Sequence, residues 1–194
     1  MLKRRLSRLF LSGSALVLLS SCGGGSDLGG GIGEFTTVAA SATVATNRLE
    51  SDVLTGNTCS ATGSAGGTFA TDSVDVTVAS KALFPNALDL LITKITVHYE
   101  PTKAGTPRLP DHFITTTQTI APGATVTIPV AVVPDNVKFA LVSDPSLTSN
   151  MAPCSADYFE YYVTITFEVS EPGGNGKARN VPASLNVAIA DRTA

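Results

Sequence analysis

Three cysteines and two histidines carry most of the reactive chemistry open to this chain, and none sits in a spacing that builds a site by itself. Cys22, Cys59 and Cys154 are far apart. The chain therefore lacks a Cys-x-x-Cys for a redox couple or a structural zinc. His98 and His112 form no His-x-x-x-His pair, and no Cys-x-x-Cys-His marks covalent haem. No Gly-x-Ser-x-Gly elbow presents a serine, although a dispersed Ser-His-Asp set leaves no trace in sequence. The acids are scattered. Asp72 and Asp75 flank a strand start, and Asp135 and Asp144 fall in turn-like stretches where a short carboxylate bonds its own backbone. Calcium would need six to eight converging oxygens. Catalytic, cofactor and metal residues are accordingly expected to be none, with both histidines on strand positions, exposed or half-buried. Tyr158, Phe159, Tyr161 and Tyr162 form the densest aromatic patch. Alternation sends part of it into a core and leaves Tyr162 outward, as a cross-strand pair or a sugar or protein contact.

The cysteine with the most specific surroundings is Cys22. Lys3, Arg4, Arg5 and Arg8 give a basic start, Leu9 to Leu19 an apolar core, and Ser20 and Ser21 a small-residue exit. These are the parts of an export signal. The apolar run is too short to span a bilayer, which takes about 20 residues. The run Leu19-Ser20-Ser21-Cys22 resembles the lipobox of bacterial lipoprotein precursors at all four positions. The resemblance covers Met1 to Cys22 only. It implies cleavage before Cys22, a diacylglyceryl thioether on its sulfur, and acylation of the new amino group. Two or more acyl chains anchor stably, at about 0.8 kcal/mol per buried methylene. Gly23 stands where an Asp would favour inner-membrane retention in enteric members, so the resemblance implies outer-membrane sorting within a bacterial cell envelope. The lipid bilayer is then one partner, through acylated Cys22.

The signal takes four of the 13 basic residues and none of the 16 acidic ones, leaving nine against 16 and a mature net charge of −7. No Lys/Arg cluster follows Arg8. Nucleic acid is excluded as a partner on this ground, and membrane association is expected from lipid alone. Charged residues are few at 15%, hydrophobic residues reach 43%, and Trp is absent. Thr, Val, Ala and Ser dominate after Thr36, which favours pleated sheet over helix or disorder.

Three segments follow: a signal over 1–21, the lipidated cysteine with a tether over 22–33, and a domain over 34–194. Gly23 to Gly33 holds seven glycines in 11 residues. As a flexible coil such a tether reaches about 20 Å on average. No strand precedes it, so it is no phosphate loop. Strand patterns then recur. Phe35–Thr46 is Thr/Val/Ala-rich, and Val74, Val76 and Val78 alternate with polar residues. Leu91, Thr93, Ile95, Val97 and Tyr99 share one face, Phe113–Ile120 is Thr-rich, and Val126, Ile128, Val130 and Val132 alternate. Val137, Phe139 and Leu141 continue the pattern. Tyr161, Val163, Ile165, Phe167 and Val169 face one way, as do Leu185, Val187 and Ile189. Pro129 requires an edge strand or a bulge. Glu171–Lys177 closes a hairpin. Asn47–Leu54 reads as one or two helical turns capped by Asn47, with Glu50 three residues on. The expected fold is all-β: an antiparallel β-sandwich of about eight strands, immunoglobulin-like or a related Greek key, without the Trp of true immunoglobulin domains.

With Cys22 lipidated, Cys59 and Cys154 remain as an even pair in an oxidising compartment, which points to a structural disulfide between loops. Two buried thiols and a redox pair are the alternatives. The functional expectation is a membrane-anchored envelope lipoprotein that is no enzyme, a structural or protein-interaction module with an envelope protein as partner. The alternative is a glycan or small-ligand binder, and behind it a hydrolase with a dispersed site.

Overall fold

The computed structural model describes residues 31–60 and 63–191, with side chains from Phe35 onward. The signal, Cys22 and the first part of the glycine run lie outside the described residues. Within them no helix is long and apolar enough to cross a membrane.

Eleven strands and one helix are described: β1 (Gly31–Glu34), β2 (Val38–Val44), β3 (Arg48–Asp52), β4 (Thr55–Ser60), β5 (Gly63–Thr68), β6 (Asp72–Ala82), β7 (Leu90–Pro101), β8 (His112–Ile120), β9 (Thr125–Val133), α1 (Asp135–Ser143), β10 (Tyr158–Ser170) and β11 (Arg179–Ala190). One sheet runs β1-β2-β6-β9 and a second β3-β11-β10-β7-β8. β4 and β5 form a separate hairpin. All pairings are antiparallel except β3 with β11, so the second sheet is mixed. The architecture is all-β and sandwich-like: both sheets line one core. Val38, Ala40 and Ala42 of β2 and Val74, Val76 and Val78 of β6 belong to the same cluster as Val163, Ile165 and Phe167 of β10 and Leu185, Val187 and Ile189 of β11. The period-2 pattern delivers this directly, since alternate residues of a strand share a face. Fully burying one such aliphatic or aromatic side chain contributes about 1.5–3 kcal/mol.

Two insertions shift that alternation. On β7, Leu90 and Ile92 point inward, but beyond Thr93 the inward set is Ile95, Val97 and Tyr99. The β10 register jumps between Glu168 and Val169 there, leaving Thr93 as the extra residue of a bulge. Its hydroxyl bonds Glu168 Oε1 at 3.2 Å. Leu91 and Thr93 are thus not on the face of Ile95, contrary to the uniform alternation expected from sequence. On β9, Asp72 pairs Val133 while Ser73 pairs Ala131, so Val132 is inserted and Val132 and Val133 are both buried.

Two sequence expectations are corrected. Asn47–Leu54 is not helical. Arg48–Asp52 is strand β3, laid parallel on Asn186–Ala190. Leu49 is half-buried and Ser51 and Val53 are buried, a period of two. Asn186 N–H donates to the Asn47 carbonyl and Val53 N–H to that of Ala190, and this pairing outweighs the local capping signal. Val137, Phe139 and Leu141 do not form a strand. They lie in α1, which buries Val137, Lys138 and Leu141 and leaves Phe139 56% exposed. Extended Pro134 precedes the helix and Asp135 sits in its first turn, where a negative charge suits the dipole.

Three edge strands of the two larger sheets, β3, β8 and β9, carry a feature that opposes further pairing. β3 alternates Arg48, Glu50 and Asp52. β9 contains Pro129, whose edge position its missing N–H requires. On β8, Lys94 pairs Thr115 while Ile92 pairs Gln118, so an extra residue interrupts the ladder.

The sandwich has two different ends. At one, buried Glu171 accepts Thr36 N–H at 2.8 Å, Thr37 N–H at 3.2 Å and the Thr37 hydroxyl, clamping the β10–β11 hairpin to the β1–β2 turn. Leu88 N–H donates to Thr37 Oγ1 at 2.9 Å and brings in the β6–β7 loop. The hairpin over Glu171–Lys177 is as the sequence predicts. The other end gathers α1, β4–β5 and the long connections around β7 and β10.

Candidate functional site

That second end brings together the residues with usable chemistry. Past the Thr93 bulge, β7 turns Tyr99 inward and His98 outward. The register sets Val97 opposite His112, which puts Asp111 beside His98. His98 Nδ1 and Asp111 Oδ1 are 2.6 Å apart, with side chains 54% and 39% exposed. At that exposure the pair adds little stability, roughly 0–1 kcal/mol. It does hold the imidazole in one orientation on the outward face of β7.

Tyr99 ties the two sheets together behind this pair. Its hydroxyl donates to the Val132 carbonyl on β9 at 2.6 Å, and His112 Nδ1 lies 2.9 Å from the same oxygen. A phenol has one proton and a carbonyl can only accept, so His112 donates from Nδ1. Nε2 is then a buried acceptor without a hydrogen bond of ordinary geometry. Burial lowers the His112 pKa, and the Ala131 carbonyl and Asp111 oppose that shift without reversing it. Tyr99 packs edge-on to Tyr161 at 6.0 Å between ring centres, and the Tyr161 hydroxyl donates to the Pro107 carbonyl. Desolvation pushes both phenols far above the ordinary tyrosine value.

In front of this group lies a cleft of about 320 Å³, walled by His98, Tyr99, Glu100, Thr106, Arg108 and Leu109. It offers one imidazole, one guanidinium and one carboxylate, a set suited to hydrogen-bonding a polar ligand. No serine lines it. Thr106 supplies a hydroxyl, which accepts Glu160 N–H at 3.3 Å. The histidine and acid of a hydrolytic set are therefore adjacent, without a serine on the wall of the cleft.

The cysteine pair staples the same end. Cys59 and Cys154 are disulfide-bonded with Cα atoms 5.5 Å apart, well within the normal span. Cys154 is in a turn before β10, as the sequence suggests, but Cys59 lies within strand β4 rather than a loop. Asp191, 7% exposed, accepts Cys154 N–H and two contacts from Asn57 Nδ2 at 3.1 and 3.0 Å. These bonds hold Cys154 at φ +64°, a left-handed conformation that is costly for a side chain with a Cβ. The sulfurs and the Asp191 carboxylate lie within 4.8 Å of one another. A thiolate ligates metal and a disulfide sulfur does not, so this convergence is a structural staple in the bonded state.

Tyr158 and Lys103 complete the end. Lys103 Nζ sits 3.3 Å from the Tyr158 ring centre and donates to the Tyr158 carbonyl. Phe159 and Tyr161 are core, while half-buried Tyr162 faces Glu100 and Asn186 across the strands rather than an aromatic partner. Asp144 behaves as a turn residue: the Ser146 hydroxyl first, and then the Ser146 N–H that its carboxylate accepts at 2.8 Å, lower its pKa. Tyr99 was legible as a strand residue but its hydroxyl contacts were not, and Asn57 and Asp191 carried no sequence signal, because each acts through a partner distant in the chain; Arg108 carried none either. Comparison with protein-family profiles, curated proteins and solved structures returns no match.

Proposed function

We propose that this chain is a lipid-anchored protein of the bacterial envelope, held at the outer membrane by acylated Cys22. Its β domain then serves as a non-enzymatic structural or protein-interaction module. The observation that carries this reading is the run Leu19-Ser20-Ser21-Cys22 behind a basic tip and an apolar core. The Cys59–Cys154 bond supports export, since structural disulfides persist in oxidising compartments. The β3, β8 and β9 edges are blunted, the Pro129 strand included, so an envelope partner is better placed on the loop-rich end with His98, Arg108 and Tyr158 than on those strand edges. Photo-crosslinking from Tyr158 and from Phe113 in intact cells tests this. Adducts concentrated at Tyr158 are expected; adducts from neither position, or only from Phe113 on β8, would overturn it.

A second reading, a glycan or small-ligand binder, rests on the cleft between His98 and Arg108. A glycan that raises the melting temperature of the native protein but not of Arg108→Ala would favour it over the first.

A further inference from the structure

The opposite, Glu171-clamped end carries a separate feature. Leu83 and Phe84 are 46% and 58% exposed at the tip of the β6–β7 loop. Beside them Ala87, Leu88, Leu91 and Pro172 line an apolar cleft of about 470 Å³, with Asp89 in its rim. Large apolar side chains exposed next to an apolar cleft mark a contact surface. Lys81, Lys177 and Arg179 are exposed on the strand ends and hairpin of the same end, three of the nine cations in a mature chain of net charge −7.

We infer that this tip rests on the bilayer surface, with Leu83 and Phe84 in the headgroup–acyl boundary and Lys81, Lys177 and Arg179 facing anionic headgroups. Apolar side chains flanked by Lys and Arg are the composition of interfacial membrane contacts. The inference rests on acylation of Cys22. Eight residues lie between Cys22 and Gly31, nine steps with a reach of at most about 30 Å. β1 then advances four residues, about 13 Å, toward the clamped end, where Phe35 N–H bonds the Val38 carbonyl in the turn into β2. An anchor at Cys22 can therefore lie in the same bilayer that the tip touches. The lipid then has help from the protein, which composition alone did not suggest, and the His98–Arg108 cleft and the disulfide point away from the membrane.

The test uses the mature acylated protein in vesicles of phosphatidylethanolamine and phosphatidylglycerol. Cys59 and Cys154 are bonded and Cys22 is acylated, so Phe84→Cys or, as the far-end control, Phe139→Cys takes a thiol-reactive fluorophore selectively. Spin-labelled acyl chains should quench the probe at position 84 several-fold more than at 139. Equal quenching overturns the inference, as does a probe at 84 shielded from aqueous quencher without lipid quenching, the result a second copy or a soluble partner would give. Flotation keeps the two readings apart: protein that floats with an unquenched probe at 84 refutes the tip contact, whereas protein that does not float refutes the anchor.

Discussion

Replacing Cys59 and Cys154 by serine removes a cross-link with a sequence separation of 95 residues. A loop of that length costs the bridged unfolded chain entropy worth about 4–5 kcal/mol at 25 °C. Whole domains are stable by about 5–15 kcal/mol, so the bridge is a large share of the total. At about 2–4 °C per kcal/mol for this size, the double variant should melt about 8–20 °C lower. The native structure adds a local effect. Cys59 holds the β4–β5 hairpin, and a two-stranded hairpin alone is marginal. Asn57 and Asp191 remain to tie it, so the hairpin should loosen rather than detach. Urea unfolding of oxidised wild type and the double variant, followed by circular dichroism, separates these effects. The variant should show a lower midpoint and a larger m-value, because its unfolded chain expands freely. An unfolding free energy within about 0.5 kcal/mol of wild type, with m unchanged, would show that the bridge does not constrain the whole unfolded chain.

Glu171→Ala removes the charged acceptor for the N–H groups of Thr36 and Thr37 in part-buried hydrogen bonds, so a loss of about 1–3 kcal/mol is expected in chemical denaturation; an unchanged midpoint would mean the clamp is dispensable. Lys138, fully buried, sits 2.8 Å from Asp72 Oδ2 and donates to the Asp52 carbonyl. Lys138→Ala strands these partners and should cost about 3 kcal/mol, the low side of a broken buried pair because Asp72 is partly exposed. His112 has its pKa lowered by burial, so the folded state disfavours the cation. Stability from this group is complete above the ordinary histidine value of about 6.5 and falls as pH drops below it toward the folded pKa. An NMR titration of the His112 ring should show a midpoint below 6.5, and one at or above that value would contradict the tautomer and burial assigned to it.

The strands were legible wherever one face is buried throughout. β6, β10 and β11 follow the alternation of Val, Ile, Leu and Phe with smaller or polar residues, and β2 the Thr/Val/Ala-rich composition of Phe35–Thr46. β4 and β5 were not, since TGNTCS and GSAGGT have little strand propensity and are held by the disulfide and by Asn57. α1 was misread because Val137, Phe139 and Leu141 also fit a period of two; burial of Lys138 beside Asp72 decides the helix, and that partner lies far back in the chain. The bulge at Thr93 shifts phase without a Gly or Pro to announce it. At the site, the pairing of Cys59 with Cys154 followed from counting cysteines after one is assigned to lipid. The His98–Asp111 contact and the Tyr99 tie depended on strand register, which composition does not encode.

The central claim, a lipid anchor on Cys22, is tested most directly by mass spectrometry of the mature N-terminal peptide from the native membrane fraction. The expected peptide begins at Cys22, with diacylglyceryl on its sulfur and a fatty acyl group on its amine. A mature chain beginning elsewhere, or a Cys22 carrying no lipid, would contradict it.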